Sequence, residues 1–124
     1  MTTLPEILIV DDDPVFARLT RWRLERAGHT VTVIDGALGV MTALKASTFD
    51  LLLLDLFMPA LTGVDLVRMI RSREAHAPLK IVLHSSADED RLAALVRQFH
   101  IDGYACKSST MKTLLDIVDA VLAR

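Results

Sequence analysis

The sequence contains one cysteine, Cys106, among its 124 residues, which excludes an internal disulfide. No pair of cysteines or histidines has the spacing of a zinc site, so a structural zinc site is not expected. The chain also lacks a strong excess of charge of one sign, because 16 Asp and Glu stand against 14 Lys and Arg. Without a strongly basic surface, direct binding of nucleic acid is not expected.

Long hydrophobic runs are missing as well. The apolar runs at 7–10 and 51–54 are far shorter than the roughly 20 residues that a membrane-spanning helix needs. No charged and then apolar leader opens the chain, so we expect a cytoplasmic protein without a membrane partner. Apolar residues make up 52% of the chain and charged residues 24%, which excludes disorder. No linker or repeat divides the sequence, and we expect one domain over residues 1–124.

Short apolar runs alternate with segments of helical length along the chain. Runs rich in Ile, Val and Leu predict strands at 6–10, 31–34, 51–54 and 80–83, and a weaker run predicts a fifth at 103–106. Their continuous apolarity is typical of parallel strands that are covered on both faces. Five strands alternating with helices predict an α/β fold, a doubly wound parallel sheet with helices on both faces.

Apolar residues at helical spacing mark the segments between the strands. Asp13 before Pro14 predicts the start of the first helix, and Gly28 predicts its end. The residues predicted to face the core are Val15, Leu19 and Trp22 in the first helix, Leu38, Met41 and Leu44 in the second, Leu92, Leu95, Val96 and Phe99 in the fourth, and Met111, Leu114, Leu115, Val118, Val121 and Leu122 in the last.

Acidic side chains follow two of the predicted strands. The first strand ends in Asp11, Asp12 and Asp13, and the third ends in Asp55. Open parallel sheets bind ligands beyond the carboxyl ends of their strands, where the strand order reverses. If these two strands are neighbours, about 5 Å apart, their carboxylates converge. Such a cluster requires a proton or a cation at neutral pH, and Mg²⁺ fits because it is a hard cation that prefers oxygen ligands.

The fourth and fifth strand ends contribute Ser85 and Lys107. A bound Mg²⁺ that keeps some of its waters could orient and neutralise a phosphoryl group. Asp55 is then the expected nucleophile, since attack by an aspartate gives an acyl phosphate. Lys107 would supply a positive charge to the phosphoryl oxygens, and Ser85 a hydroxyl donor.

Four segments, each closing a predicted strand, form a specific pattern in this order and spacing. They read Ile-Leu-Ile-Val-Asp-Asp-Asp-Pro at 7–14, Asp-Leu-Phe-Met-Pro at 55–59 followed by Gly63, Leu-His-Ser-Ser-Ala at 83–87, and Gly-Tyr-Ala-Cys-Lys at 103–107. The chain thereby resembles the receiver domain of two-component response regulators over nearly its whole length. This resemblance implies the flavodoxin-like strand order 2-1-3-4-5.

The resemblance implies a Mg²⁺ site and a phosphoacceptor. Asp11 and Asp12 match the acidic pair that binds the metal, and Asp55 matches the phosphoacceptor, which is also a metal ligand. The backbone carbonyl of Phe57 matches the further ligand. The implied phosphodonor is a phosphohistidine on a sensor histidine kinase or a phosphotransfer protein, and the domain catalyses its own phosphorylation rather than turning over a substrate.

The resemblance also implies a switch. Ser85 matches the switch hydroxyl, Tyr104 the switch aromatic and Lys107 the invariant lysine. Ser86 leaves one residue of ambiguity in the switch hydroxyl, although counting from Lys80 favours Ser85. Phosphorylation of Asp55 would then control a downstream protein through protein contacts. Tyr104 taken alone, without the resemblance, is better explained as a strand aromatic that packs in the core.

Two positions depart from the family pattern. Ser108 follows the lysine where the family usually has a proline, and we expect a trans bond there, because a cis bond before a non-proline residue costs about 3–4 kcal/mol. Phe57 is apolar where many members are polar, so it cannot align a hydrolytic water, which predicts slow autodephosphorylation of Asp55.

Two alternative functions stay open at the level of the sequence. Asp11-x-Asp13-x-Val15 is similar to the first motif of haloacid dehalogenase-like phosphohydrolases, in which Asp11 would be the nucleophile. That family needs a further acidic pair, whereas Asp116 and Asp119 fall inside the last predicted helix. The other alternative is a pseudo-receiver, an interaction module that is never phosphorylated.

Overall fold

Strands and helices alternate along the computed structural model, which describes residues 4–57, 62–76 and 78–124. Met58 and Pro59, part of the second of the four motifs, lie outside the described residues. The described elements are β1 (Glu6–Val10), α1 (Pro14–Arg26), β2 (Thr30–Ile34), α2 (Val40–Ala46), β3 (Leu51–Leu54), α3 (Gly63–Ser72), β4 (Lys80–Ser85), α4 (Glu89–Phe99), β5 (Gly103–Cys106) and α5 (Met111–Leu122). Short 3-10 helices at Ala37–Gly39 and Glu74–His76 were not predicted.

The five strands form one parallel sheet in the order β2-β1-β3-β4-β5. This confirms the predicted α/β fold and its strand order. The order reverses between β1 and β3, where Val10 pairs with Leu54 and the amide of Asp55 donates to the carbonyl of Val10 at 3.0 Å. The residues that follow these two strands, Asp11 and Asp55, therefore emerge side by side at the carboxyl edge of the sheet.

The predicted strand positions are confirmed with two adjustments at the ends. β2 begins at Thr30, one residue earlier than predicted. β4 continues to Ser85, because Ser85 pairs with Cys106 and its carbonyl accepts a hydrogen bond from the amide of Lys107 at 2.8 Å. Ser85 thus belongs to the strand itself and not to the loop that follows it.

Helices cover both faces of the sheet, as predicted. One face packs against α2, α3 and α4 through side chains such as Leu54 and Leu83, and the other packs against α1 and α5 through side chains such as Ile9 and Leu53. Burial of one such side chain contributes about 1.5–3 kcal/mol. Two-sided burial explains why β1, β3 and β4 have hardly any polar residues before their carboxyl ends.

The prediction for the core face of α1 is wrong. Val15, Leu19 and Trp22 are 73%, 49% and 53% exposed. Thr20 takes an inward position because its hydroxyl donates to the carbonyl of Phe16 at 2.9 Å, which satisfies the buried oxygen. The residues of α1 that are buried are Ala17, Thr20 and Leu24.

The other helical predictions are largely confirmed. Leu38 is the exception, because it lies in the first 3-10 helix and is 82% exposed. The remaining predicted residues of α2, α4 and α5 are buried or pack against the two cores.

Local signals for the ends of α1 are confirmed. The Asp13 carboxylate accepts hydrogen bonds from the amides of Val15 and Phe16, both at 3.1 Å, and Pro14 opens the helix. Gly28, just past the helix, has a φ of 100°, a conformation that glycine adopts without strain.

Two further expectations from the sequence are a trans bond between Lys107 and Ser108 and the lack of a membrane-spanning helix. The peptide bonds in 4–57, 62–76 and 78–124 include no cis bond, so the Lys107–Ser108 bond is trans, as predicted. Across those ranges, no helix combines the length and the apolarity that crossing a bilayer requires.

Candidate functional site

Three carboxylates meet at the carboxyl edge of the sheet. Asp11 and Asp12 follow β1, and Asp55 follows β3. Asp11 and Asp55 are only 4% and 5% exposed, whereas Asp12 is exposed. One carboxylate oxygen from each of the three lies within 4.8 Å of the others. The convergence predicted from the strand ends is therefore confirmed.

Hydrogen bonds from the backbone orient the two buried carboxylates. Oδ1 of Asp11 accepts from the amide of Asp13 at 2.9 Å, and Oδ1 of Asp55 accepts from the amide of Phe57 at 3.2 Å. Each acceptor lies two residues before its donor, so a local turn holds each carboxylate in place. The second oxygen, Oδ2, of each carboxylate contacts Lys107.

Lys107 is the cation of this pocket. Its Nζ lies 2.8 Å from Oδ2 of Asp11 and 3.2 Å from Oδ2 of Asp55. The same atom lies 4.8 Å from the centre of the Phe16 ring, which forms a cation–π contact from α1. One ammonium therefore faces three carboxylates, and the pocket keeps an excess of negative charge.

Burial and charge shift the pKa values of the two central groups. Burial raises the pKa of Asp55 above its usual value of 3.8, and the hydrogen bond from Phe57 and the charge of Lys107 offset this only in part. Burial acts to lower the pKa of Lys107, but the hydrogen bonds and charges of Asp11 and Asp55 outweigh it and raise that pKa above 10.5. Lys107 is therefore charged at neutral pH, while the ionised Asp55 is held in an environment that favours a bound proton or cation.

The donor set of the pocket suits a hard divalent cation. It consists of carboxylate oxygens, the ligand type that Mg²⁺ prefers, with no sulfur or imidazole ligand among the three clustered residues. Exposed Asp12 leaves one side open to the waters that Mg²⁺ usually retains. Asp11, Asp12 and Asp55 could therefore hold Mg²⁺, and the carbonyl of Phe57 stays a predicted further ligand.

Comparison with known proteins decides the family. The model of the response regulator receiver domain matches residues 7–119. This chain belongs to the receiver domain family. It is 34% identical over 122 residues to the response regulator ArlR of Staphylococcus saprophyticus, covering 98% of this chain and 54% of that protein. It is also 34% identical over 121 residues to the transcriptional activator protein PfeR of Pseudomonas aeruginosa, covering 97% and 38%.

Solved structures of receiver domains have the same fold. A response regulator receiver protein from Pseudomonas putida superposes with a TM-score of 0.87 at 27% identity, covering 97% of this chain and 99% of that one. The chemotaxis response regulator CheY4 of Vibrio cholerae superposes with a TM-score of 0.88 at 21% identity, covering 96% and 99%. The receiver domain spans about half the length, or less, of the curated relatives named above.

Ser85 is the last residue of β4, the strand next to β3, and so stands at the same carboxyl edge of the sheet as the pocket of this receiver domain. It is fully buried, and its Oγ accepts a hydrogen bond from the amide of Ala87 at 3.3 Å. Ser86 is exposed, so the burial supports Ser85 as the switch hydroxyl. Tyr104, in β5, packs partly against the core, and its hydroxyl donates to Oε1 of Glu89 at 3.2 Å. The switch roles of Ser85 and Tyr104 stay predictions.

Two aromatic residues, His84 and Phe16, lie beside the pocket. From the sequence, His84 is the one histidine placed to touch the site, because it precedes Ser85, although a core or loop role is the simpler interpretation. The ring of His84 is buried, and its centre lies 5.1 Å from the centre of the Phe16 ring, which also contacts Lys107. Burial, together with the nearby charge of Lys107, lowers the pKa of His84 to about 4, although the charge of Asp11 acts in the opposite direction. Phe16 was not assigned to the pocket, and its only sequence signal was its position one helical turn after the acidic residues.

Family membership and geometry together favour the receiver over the phosphohydrolase. Asp13, the second acid of the hydrolase-like motif, uses its carboxylate to cap α1. Asp116 and Asp119 lie on α5, and their side chains are 63% and 64% exposed.

Proposed function

We propose that this receiver domain accepts a phosphoryl group on Asp55, with Mg²⁺, from a phosphohistidine on a sensor histidine kinase or a phosphotransfer protein. The observation that carries the proposal is the contact of the Lys107 ammonium with both Asp11 and Asp55 in a pocket that Asp12 completes. The pocket therefore contains a buried nucleophile, Asp55, a cation held by two carboxylates, Lys107, and a set of metal ligands. All of them lie within one side-chain length of each other.

In the proposed reaction, a carboxylate oxygen of Asp55 attacks the phosphorus and the bond from phosphorus to the donor imidazole nitrogen breaks. Asp11 and Asp12, with the carbonyl of Phe57, would hold Mg²⁺ beside Asp55. When bound, the metal supplies charge neutralisation and orientation for the phosphoryl oxygens. Lys107, whose ammonium contacts Oδ2 of Asp55, would stabilise the negative charge of the transferred group.

Ser85 and Tyr104 would convert the added charge into a change of surface. A phosphoryl group adds a charge of about −1.5 to −2 at neutral pH. The Ser85 hydroxyl, which now accepts from the Ala87 amide, would turn to donate to a phosphoryl oxygen. Tyr104 would then move into the vacated space and leave its contact with Glu89. A downstream protein would recognise the face formed by α4, β5 and α5.

Incubation with acetyl phosphate tests the proposed reaction without a protein donor. With Mg²⁺, the intact chain should gain the mass of one phosphoryl group, and peptide mapping should place it on Asp55. With EDTA in place of Mg²⁺, the gain should disappear. A chain that gains no phosphoryl group under either condition would instead be a pseudo-receiver, and continuous release of phosphate without labelling of Asp55 would indicate a hydrolase.

The exposed side of α1 is the surface that we propose for the protein donor. It is adjacent to the pocket, because α1 begins directly after the acidic residues, and it presents the apolar side chains of Val15, Leu19 and Trp22. Exposed arginines surround these side chains, namely Arg18, Arg21 and Arg26. Such a mixed surface fits a partner with apolar and acidic side chains, and Trp and Arg are the residues most often found at the centre of interfaces.

Replacing the central aromatic residue of this surface tests the docking proposal. Trp22→Ala should slow transfer from a phosphorylated histidine phosphotransfer domain by about 10-fold, while labelling by acetyl phosphate stays unchanged because the pocket is intact. Both rates are measured by separating phosphorylated and free chains. Leu38→Ala, which removes another exposed apolar side chain, serves as the matched control. Equal slowing with both donors would contradict docking on α1.

A further inference from the structure

The ammonium of Lys107 contacts two carboxylates and one aromatic ring. Nζ lies 2.8 Å from Oδ2 of Asp11, 3.2 Å from Oδ2 of Asp55 and 4.8 Å from the centre of the Phe16 ring. Within residues 4–57, 62–76 and 78–124, these three are its partners. The lysine side chain is only 15% exposed. Water therefore competes little for the ammonium, and each contact is stronger than it would be on an open surface.

Phe16 is held in place on two sides. Within α1, its amide donates to Oδ1 of Asp13 at 3.1 Å, and its carbonyl accepts from the Thr20 hydroxyl at 2.9 Å. Its ring packs against the buried ring of His84 on β4, with the ring centres 5.1 Å apart and the planes inclined by 51°. The pKa of His84, lowered by burial to about 4, keeps this imidazole neutral at neutral pH. It therefore adds no positive charge that would repel the ammonium.

Both carboxylate partners of Lys107 have a further task in the proposed function. Asp11 would bind Mg²⁺, and Asp55 would bind Mg²⁺ and accept the phosphoryl group. Each task weakens the attraction of the carboxylate for the ammonium, because a bound cation or a bond to phosphorus neutralises its charge. An aromatic ring neither ligates a hard cation nor accepts a phosphoryl group. Among the three partners, Phe16 is therefore the one whose attraction for the ammonium stays the same during the reaction.

We propose that Phe16 is a positioning residue, whose ring face holds the Lys107 ammonium beside Asp55 while the carboxylates bind Mg²⁺. This inference rests on the proposed function of Asp55. The stem of a lysine is flexible, so without the ring the ammonium would spend more time away from Asp55. Lys107 would keep its charge and lose its position. A partly desolvated cation–π contact changes an equilibrium or a rate by about 5- to 10-fold.

The initial rate of labelling with acetyl phosphate and Mg²⁺ measures the effect on the reaction. Phe16→Leu keeps an apolar side chain without a ring face and should lower this rate by about 5- to 10-fold. Phe16→Tyr restores an aromatic face and should recover most of the rate. Phe99→Leu is the matched control, because it removes the ring that Arg68 covers at 5.1 Å, in a similar contact between α3 and α4. It should leave the rate unchanged.

Fluorinated phenylalanines at position 16 separate the attraction of the ring face from its packing. Successive fluorines change the shape of the ring little, but they withdraw negative charge from its face, which is the source of the attraction. The rate should therefore fall stepwise with the number of fluorines. A rate that falls in Phe16→Leu and stays constant across the fluorinated series would overturn the inference, because Phe16 would then act through packing alone.

Proton NMR of the Lys107 ε-methylene group follows the contact without the reaction. Protons over the face of an aromatic ring are shielded, so these protons should resonate upfield of those of Lys112, whose side chain is 80% exposed. The upfield shift should be present without metal, persist at saturating Mg²⁺ and vanish in Phe16→Leu. Its loss on addition of Mg²⁺ would overturn the inference, because the ammonium would then leave the ring when the carboxylates bind the metal.

The labelling experiment distinguishes a failure of this inference from a failure of the proposed function. If the natural chain takes the label on Asp55 and Phe16→Leu does so at the same rate, the inference alone is overturned. If the natural chain takes no label, the proposed function is overturned and this inference with it.

Discussion

The Asp55→Asn chain is expected to take up no phosphoryl group and to be more stable than the natural chain at neutral pH without metal. The amide cannot attack phosphorus as a carboxylate does. It also removes a buried charge, while Lys107 keeps its contact with Asp11 at 2.8 Å. Burial of a charge is unfavourable for folding. Its replacement by a neutral amide of similar size should therefore raise the free energy of unfolding by about 1–2 kcal/mol.

The sign of this effect follows from the raised pKa of Asp55. Between the pKa of the unfolded chain and the raised pKa of the folded chain, the folded state binds more protons. The contribution of Asp55 to stability is therefore fully present at acidic pH and is lost as the pH rises through that window. Asp55→Asn should abolish this loss.

Urea unfolding with EDTA measures the stability difference, and labelling with acetyl phosphate measures the function. Asp116→Asn is the matched control, since it removes an exposed carboxylate that pairs only with Lys112 in the described structure. It should keep the label and change stability by less than about 0.5 kcal/mol. An Asp55→Asn chain that is less stable than the natural chain at neutral pH would contradict the idea that burial of this charge is unfavourable.

The second large effect concerns His84 and acid. Burial lowers the pKa of this imidazole from 6.5 to about 4, so the unfolded chain binds a proton more readily than the folded chain between these values. The contribution of the neutral His84 imidazole to the free energy of unfolding is fully present above pH 6.5 and is lost as the pH falls towards 4. The pKa difference corresponds to a loss of about 3 kcal/mol.

The pH dependence of urea unfolding between pH 7 and pH 4 checks this expectation. His84→Leu should lose about 3 kcal/mol less than the natural chain over this range. His100→Asn is the control, because His100 is exposed and its left-handed backbone, with a φ of 54°, suits asparagine. If His84→Leu and the natural chain lose stability in parallel, the buried imidazole is not the group that titrates.

The sequence predicts two kinds of element correctly. One kind is a strand that helices cover on both faces, and the other is a helix whose ends are marked by interactions within a few residues. The run at Leu51–Leu54 has no polar residue because helices cover both faces of β3, and a continuous apolar run predicts that situation. Asp13 and Gly28 mark the ends of α1 through interactions within a few residues. The pocket could also be predicted, because the carboxyl ends of neighbouring parallel strands lie at one edge of the sheet and the acidic residues that follow them therefore converge.

The error on α1 shows where such reasoning fails. Val15, Leu19 and Trp22 have helical spacing, but an apolar stripe has the same pattern whether it faces the core or a partner. The inward side uses Ala17 and Thr20, which are small or satisfied within the helix and give no hydrophobic signal.

Contacts between side chains from distant segments were also beyond the sequence. Phe16 contacts both Lys107 and His84, and Arg91 contacts Phe57, through packing that brings together residues with no shared local pattern. The residue types alone do not indicate which side chains contact each other in the fold, because none of these types is tied to one environment.

The most direct measurement is a crystal structure of the chain grown with Mg²⁺ and beryllofluoride, a mimic of the phosphoryl group. We expect the beryllium on Asp55, the metal in contact with Asp11 and Asp12, and Lys107 and Ser85 donating to fluorides. An adduct on Asp11, or Asp11, Asp12 and Asp55 left without metal at saturating Mg²⁺, would contradict the assignment of this pocket as a magnesium-dependent phosphoacceptor site.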